Sequence, residues 1–588
     1  MAIVNNVCWR IGGQQGEGID TTGDIFARAM VRYGLHIYTT RNFSSRIRGG
    51  LTWSDVRVSE NPVRAAADSV NYLVALGQEV IDGSLHHLCD GAVILYDSDA
   101  FEPKLDEEDK KRFLFYGVPM TKIAEEKGSK IMKNMVALGA SAALLDMKLD
   151  PFYEFVEEKF SRKGQKIVDM NRGVLDAAYN YVRQGDFVKK DPWTVERRPL
   201  NGKRPLLMTG NMATAFGAAV GGCRFFAGYP ITPATEVMEY MIEHVEKFGG
   251  VVVQTEDEIA AANMILGAGF AGVRAATSTS GPGLSLMTEA IGLAGMAEIP
   301  CVFIDVMRPG PSTGLPTKHG QTDLLFTVHG GHDEFPRIVV SPSTIEEAFY
   351  MIQKAFNYAE QYQLPVFYLI DQDLGLSNQT VPELDVNKVP VNRGKLLTAE
   401  QLAAIAPGGY DRFKMEKDHV SPRAVPGMKN GLFLSSGSEH NPHGVITENV
   451  KNRNAMMEKR AGKLKTFRAT EKDFITETYG DQKAKIGIVT WGSTRHPVDE
   501  ARARLKVEEG IDTKVMVVKT LWPFPAEEMK AFMAGCDKVF FVEANFSGQL
   551  ASITKQEVGG HDKLRLITKY DGTVFKPVEI LNKLKEMI

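Results

Sequence analysis

Gly228-Tyr229-Pro230-Ile231-Thr232-Pro233, running into Ala234-Thr235-Glu236-Val237-Met238-Glu239-Tyr240-Met241-Ile242-Glu243-His244-Val245, is the stretch from which the fold is read. Two prolines flanking Ile231-Thr232 fix φ at two positions and restrict the residues before them, so the segment is a stiff turn. The run behind it reads as a helix whose first turn contains Pro233, a place where proline is accepted. A stiff turn entering a helix N-terminus presents backbone N–H groups and the Thr232 hydroxyl to an anion such as a carboxylate. A plainer description fits the same residues: a rigid turn with Thr232 as an ordinary N-cap.

The same grammar recurs downstream. Val251–Thr255 (VVVQT), Arg274–Thr279 (RAATST) and Cys301–Val306 (CVFIDV) are short and strand-like, separated by helical stretches, and Val339-Val340 and Pro365–Ile370 look like closing strands. This alternation predicts a parallel sheet flanked by helices. Glu256, Asp257 and Glu258 open an Ala-rich helix and complement its dipole in one reading. In another, Ala260-Ala261-Ala262 leave a small surface for a flat ligand, and a neighbouring carboxylate is partly desolvated and suited to proton exchange. Thr277-Ser278-Thr279-Ser280-Gly281-Pro282-Gly283 is a hydroxyl- and Gly-rich turn at the carboxyl edge of the sheet, where open α/β folds bind ligands, or simply a tight βα turn. Arg308–Gln321 leaves another strand end and carries Arg308, Lys318 and His319 in a Gly/Pro-rich loop. Such a loop grips carboxylates, or is a solvated surface loop.

Further out, Asn6–Ile11, Asn71–Leu76 and Ala92–Tyr96 read as strands of an N-terminal open parallel sheet, with a helix through Ile25–Met30. The GGQQGEG turn (Gly12–Gly18) does not satisfy G-x-G-x-x-G. Arg41, Arg46 and Arg48 offer charge for phosphates of a nucleotide-like ligand, or form a solvated basic turn. The basic, proline-bearing stretch from Lys189 to Pro205 reads as a linker. Residues 391–480 are polar and irregular, and from Ala484 a further α/β unit begins. With 588 residues the chain exceeds one core, so several domains are expected. A net charge of −4 gives no bulk reason for nucleic-acid or membrane binding, and no secretory signal or membrane-length apolar run is visible. A cytoplasmic location is expected. Cys8, Cys89, Cys223, Cys301 and Cys536 form no C-x-x-C pair and read as small buried hydrophobes, an inadequate set for an iron–sulfur cluster.

Together, YPITP, EDEIAA, TSTSGPG and RPGPSTGLPTKHGQTD, with GGQQGEG and SSRIRGG upstream and SPRAVPG, GSEHNPHG, Lys459-Arg460, WPFP, VEANFSGQL and KYDG downstream, resemble the α subunit of the 2-oxoacid:ferredoxin oxidoreductases. The likeness is greatest to the 2-oxoglutarate type with a γ domain fused at its N-terminus. It implies an α/β protein of several open, mainly parallel-sheet domains: a γ-type domain (1–190), a linker (191–204), a pyrimidine-type thiamine-diphosphate-binding domain (205–390), an irregular insertion (391–480) and a transketolase C-terminal-like domain (481–588). Gln15 and Glu17 depart from a more uniformly Gly-rich γ-domain turn.

Roles follow from the resemblance. Glu258 is implied to hydrogen-bond N1′ of the thiamine aminopyrimidine, with Glu256 as competitor because the register can slip by two. Tyr229, Pro230, Ile231, Ser280 and Gly281 are implied to line the cofactor. Thr232 and Arg308 are implied to hold the 2-oxoacid, with Lys318 and His319 as candidates for a distal carboxylate. The chain shows no G-D-G…N segment, so magnesium, the diphosphate site and a four-iron four-sulfur cluster are expected in a β subunit, within a dimer of αβ heterodimers. The implied reaction converts 2-oxoglutarate and coenzyme A to succinyl-CoA, CO2 and reduced ferredoxin, reversibly, and only with that partner. Pyruvate or branched-chain 2-oxoacids are alternative substrates; a non-catalytic nucleotide-binding or scaffolding α/β protein is the alternative of another class.

Overall fold

The computed structural model describes residues 3–43, 49–185, 191–200, 202 and 204–588. Arg46 and Arg48 lie outside the described residues. The chain forms two compact units: Met1–Met208 with Ser377–Glu383 and Lys576–Val578, and the remainder from Thr209 onward.

The first unit is built on eight strands in the order Leu114–Val118, Leu88–Asp97, Val70–Ala75, Val7–Gln14, Leu51–Ser59, His36–Asn42, Gln379–Val381 and Leu206–Met208. The first four are mutually parallel; three of them were expected as strands, and Leu114–Val118 joins them at the edge. The rest pair antiparallel, so this sheet is mixed rather than uniformly parallel. Leu51–Ser59 alternates half-buried and buried residues along its length, the mark of a strand with one covered face. The segment expected as a linker begins on this unit: Trp193-Thr194 pairs parallel with Ile3-Val4, and Trp193 and Val195 are buried. Cys8 is buried here, and burial pushes its thiol up to about 12, as for an inert core cysteine.

In the second unit the strands are β1 (Phe225–Gly228), β2 (Val251–Gln254), β3 (Ala275–Thr279), β4 (Cys301–Met307), β5 (Ile338–Val340), β6 (Pro365–Asp371), β7 (Thr476–Gly480), β8 (Ile486–Thr490), β9 (Thr513–Val518), β10 (Thr520–Trp522), β11 (Lys538–Glu543) and β12 (Leu564–Thr568). One sheet has the order β2-β1-β3-β4-β6-β5-β10, parallel except for the β5–β10 pair; the other has the order β7-β9-β8-β11-β12, parallel except for β7–β9. The helices that matter below are α1 (Gly210–Val220), α2 (Thr235–His244), α3 (Glu258–Phe270), α4 (Gly281–Leu286), α5 (Thr288–Met296), α6 (Leu324–His329), α7 (Ile345–Tyr362) and α8 (Val450–Thr470). One apolar core joins both sheets, from Ala261, Ile265, Phe303 and Phe367 to Trp491, Val518 and Phe541.

The irregular stretch 391–480 is ordered by buried charge rather than by apolar periodicity. Glu298, sealed from solvent, accepts two hydrogen bonds from Lys459 Nζ at 2.5 and 2.7 Å and one from Lys463, which anchors α8. Those cations, with Arg412, outweigh the burial that would otherwise raise the Glu298 carboxyl, and hold it far below the ordinary carboxylate range. Glu360 on α7 binds Arg274, Arg393 and Arg423 in the same way. Among the described residues no helix is long and apolar enough to cross a membrane.

Candidate active site

Topology alone brings four distant segments together. The connection β1→β2 runs to one side of β1 and β2→β3 to the other, so the chain reverses direction across the sheet between β1 and β3. Ligands of open α/β sheets bind at the carboxyl ends of the strands beside such a reversal. YPITP leaves β1 there, Glu256–Glu258 follow β2, Ser280–Gly283 follow β3 and Arg308 follows β4.

The YPITP turn is clamped by backbone contacts. Arg308 Nη1 donates to the Thr232 carbonyl at 2.8 Å, Asn211 Nδ2 on α1 to the Pro233 carbonyl at 3.0 Å, and Ser278 Oγ to the Ala234 carbonyl at 3.4 Å. Helix α2 starts at Thr235, behind a cis Thr232–Pro233 bond. Pro233 therefore precedes the first turn instead of lying in it, and Ala234, not Thr232, is the N-cap. The Thr232 hydroxyl is accordingly not spent on its helix. Tyr229 and Pro230 are exposed, and Ile231 and Thr232 are half-buried.

Glu258 is the first residue of α3, and Asp257 caps that helix by accepting from the Ala260 N–H at 2.8 Å. This divides the three acids physically. Asp257 is the cap, Glu256 is exposed, and Glu258 is only 7% exposed with no hydrogen bond to its carboxylate among the described residues. Ala261 and Ala262 face the core, so the flat surface expected of the alanine run is absent; Ala260 alone is half-buried at the helix start. Glu258 packs directly on Gly283, where any side chain would collide: a Cβ there would overlap Thr279 Oγ1 and lie 2.6 Å from Glu258 Oε1. Ser280 Oγ is buried and unpartnered, and a Cβ on Gly281 would meet the Asp323 carboxylate at 2.8 Å.

Arg308 is buried, with one nitrogen on Thr232 and Nε unpartnered. Burial lowers its affinity for a proton, opposed by the fields of Asp323 and Glu258. A guanidinium keeps its charge in such a place, so the remaining donors form a fork suited to a carboxylate.

His319 comes to this same edge, since Asp371 ends β6 opposite Met307, one residue before Arg308, and buried His319 turns Nδ1 toward Asp371 Oδ1 at 3.9 Å. The loop also reaches the second sheet, where the His319 N–H donates to the Gly572 carbonyl at 3.1 Å. Lys318 is half-buried, its ammonium pulled down by burial, and its Cβ lies 3.0 Å from where a side chain on Gly572 would begin. Gln321 forms the strongest tie, exchanging bonds with Ala544 (N to O 2.7 Å; Oε1 from N 3.0 Å) and donating to the Trp491 carbonyl at 2.8 Å.

Asn211 and Asp305 escape a reading by motif, and Asp323, the last residue of the Arg308 loop motif, was given no role there. The one available signal was Asp305, a lone acid inside an otherwise apolar strand.

Comparison with known proteins agrees with this geometry. Residues 8–181 match the family described as pyruvate ferredoxin/flavodoxin oxidoreductase. Residues 216–459 match its thiamine-diphosphate-binding domain, and 484–580 its core domain II. A 2-oxoacid:ferredoxin oxidoreductase subunit alpha from a Sulfolobus species is 33% identical over 99% of this chain and 96% of its own length. The subunit alpha of 2-oxoacid:ferredoxin oxidoreductase 1 from Sulfurisphaera tokodaii is also 33% identical, over 99% of this chain and 97% of its own. A solved structure of 2-oxoglutarate:ferredoxin oxidoreductase from Magnetococcus marinus, with 2-oxoglutarate, coenzyme A and succinyl-CoA bound, superposes with a TM-score of 0.92 at 37% identity, covering 99% of both chains. With relatives above 30% identity matched over 99% of this chain and nearly all of their own length, the chain belongs to the α subunits of the 2-oxoacid:ferredoxin oxidoreductases.

Proposed function

We propose that this α subunit, joined to a β subunit, oxidises 2-oxoglutarate with coenzyme A to succinyl-CoA and CO2 and passes the electrons to ferredoxin, in a reaction that also runs in reverse. The observation that carries the reading is the meeting of Glu258, Thr232 and Arg308 at one reversal of the sheet. The solved relative that matches over nearly the whole chain was captured with 2-oxoglutarate and both forms of coenzyme A, which favours this substrate over pyruvate or branched-chain 2-oxoacids.

The residues fit an aminopyrimidine. Glu258 is a nearly buried carboxylate with no hydrogen bond from the described protein, seated where Gly283 lacks a side chain. Thiamine diphosphate, when bound, supplies the electron sink for loss of CO2. With the cofactor bound, Glu258 would accept from and exchange a proton at the pyrimidine N1′ position, and Tyr229, Pro230, Ile231, Ser280 and Gly281 would line the ring. The Arg308 fork takes the 2-oxoacid carboxylate and the Thr232 hydroxyl its carbonyl oxygen. Lys318 is the candidate for the distal carboxylate, with His319 holding its loop. The β subunit provides magnesium, the diphosphate site and the four-iron four-sulfur cluster.

The test is reconstitution. With β subunit, thiamine diphosphate and coenzyme A, viologen reduction is expected to show kcat/KM for 2-oxoglutarate above those for pyruvate and 2-oxoisovalerate. No turnover on any 2-oxoacid would overturn the reading, and preference for another 2-oxoacid would overturn its substrate.

A further inference from the structure

Strand β4 reads Cys301-Val302-Phe303-Ile304-Asp305-Val306-Met307, and every residue of it is buried. Asp305 is 0% exposed, and neither carboxylate oxygen receives a hydrogen bond from an amide, hydroxyl or cationic donor among the described residues. Its register partners are Thr279 on β3 and Leu369 on β6, which sets it under the turn carrying Gly281 and Gly283. Its carboxyl partner is Asp323.

Asp323 stands at the head of α6, where an aspartate ordinarily caps the helix, yet its side chain accepts no capping hydrogen bond. It is turned elsewhere. Oδ2 is sealed from solvent without a partner, Oδ1 receives a 3.3 Å contact from Thr322 Oγ1, and both oxygens crowd the position where a Cβ on Gly281 would be. The two carboxyls interact directly. Neither forms an ion pair with any cation among the described residues. Two carboxylates this close, with water excluded, cannot both carry charge; one must hold a proton and donate it to the other. Asp305 is the more deeply enclosed, and burial, then the charge of Asp323, pushes its carboxyl well above the ordinary range.

The charged groups around the pair are few. Arg308 leaves the end of the same strand, Glu258 begins α3, and Asp371 ends β6, where it is occupied by Gln321, the Leu374 N–H and the Ser493 N–H. Arg308 lies in the field of Asp323 and Glu258. If Asp305 were also ionised, three acids would surround one guanidinium, and an incoming anion would be opposed. We propose that Asp305 is a positioning residue for the 2-oxoacid: as a neutral acid it donates its O–H to Asp323, holding that carboxylate away from Arg308 and keeping the guanidinium for the substrate. This rests on the reading that Arg308 takes the 2-oxoacid carboxylate.

The test uses the complex with its β subunit. Asp305→Asn keeps a neutral donor and is expected to retain wild-type kcat and KM near neutral pH. The wild-type KM for the 2-oxoacid rises toward alkaline pH as Asp305 ionises, whereas that of Asp305→Asn stays flat. Asp305→Ala removes the donor and frees Asp323 to compete for Arg308. Its KM rises about fivefold or more at every pH, with kcat little changed, because a buried acceptor is left unmatched. A second readout needs no turnover: the infrared band of a protonated carboxyl, present in the wild-type chain at neutral pH, disappears in Asp305→Asn. Persistence of that band, or an Asp305→Asn profile that rises like the wild type, overturns the proposal. Arg308→Ala separates the two levels. A raised KM there with wild-type KM in Asp305→Ala overturns this proposal alone, and an unchanged KM in Arg308→Ala overturns the underlying reading with it. If Asp305→Ala does not fold, the pH profile of Asp305→Asn decides.

Discussion

Gly283→Ala is the most demanding test of the site geometry, because it adds one methyl group next to Glu258. The new Cβ would overlap Thr279 Oγ1 and lie 2.6 Å from Glu258 Oε1 and 2.7 Å from Glu258 Cγ. Carbon atoms pack at about 3.5–4.0 Å, so Glu258 must retreat by about an ångström. Overpacking of this kind costs about 1–3 kcal/mol, and native stabilities of about 5–15 kcal/mol absorb it with nearly all molecules folded. At about 2–4 °C per kcal/mol for a domain of 150–250 residues, the melting temperature should fall by about 2–12 °C. Catalysis is far less tolerant: a misplacement near 1 Å costs about a hundredfold. The expected result is therefore a folded, assembled enzyme whose viologen reduction has fallen about a hundredfold. Adding Thr279→Ala to this variant relieves one overlap and recovers stability, but leaves the Glu258 contacts and so leaves the activity low. Gly267→Ala, on the helix that Glu258 begins, is the control, since its Cβ would meet nothing within 4 Å. It should keep full activity and gain about 0.5–1 kcal/mol. Wild-type kcat in Gly283→Ala, or a loss no larger than the unfolded fraction, would refute the placement of Glu258.

Three other outcomes are expected. Glu258→Gln abolishes turnover while assembly with the β subunit persists, and Glu256→Gln, at an exposed position, is milder; steady-state rates of the two complexes decide, and the opposite ranking would move the proton exchange to Glu256. Lys459→Met strips one of two lysines from buried Glu298 and should cost about 3 kcal/mol in urea unfolding; an unchanged midpoint would show that Lys463 alone satisfies the carboxylate. The pH dependence of stability follows from Asp305, whose folded-state carboxyl is raised. Its contribution is fully present below the unfolded value near about 3.9 and is lost as pH rises through the folded value, because the unfolded chain then binds fewer protons. Urea midpoints should fall with rising pH less steeply in Asp305→Asn than in wild type, and equal slopes would contradict this.

What could be read from the sequence was what turn chemistry writes locally. Pro230, Pro233, Gly281, Gly283 and the Arg308 loop announce strand ends, and their recurrence after apolar runs identifies a parallel sheet with its loops on one edge. Glu258 was legible as an acid at a helix start, although two neighbours looked equivalent until the helix phase made Asp257 the cap. The errors share a cause, in that periodicity does not reveal partners. Ala261 and Ala262 looked like an open surface and proved to be core. Strand His36–Asn42 pairs with Gln379–Val381, a distance along the chain that no local pattern encodes, and the sheet there became mixed. His319 read as a loop residue, and its burial with Nδ1 toward Asp371, at the strand end beside Arg308, was not announced by that loop. Asp305 was visible only as an oddity in an apolar strand, because its meaning depends on Asp323 and on the helix that Asp323 declines to cap.

The clasp made by Gln321 has a consequence for how the enzyme breathes. Its backbone and side chain both bind the strand end at Ala544, while thirteen residues earlier the same loop begins at Arg308. Any transient opening that detaches β11 must release that clasp, so the amide of Gln321 should exchange with solvent only as rarely as the β11 amides do. Substrate affinity then carries the thermal signature of a remote sheet: mutations in β8 or β11, far from any reacting atom, should loosen the grip of Arg308 before they unfold the chain.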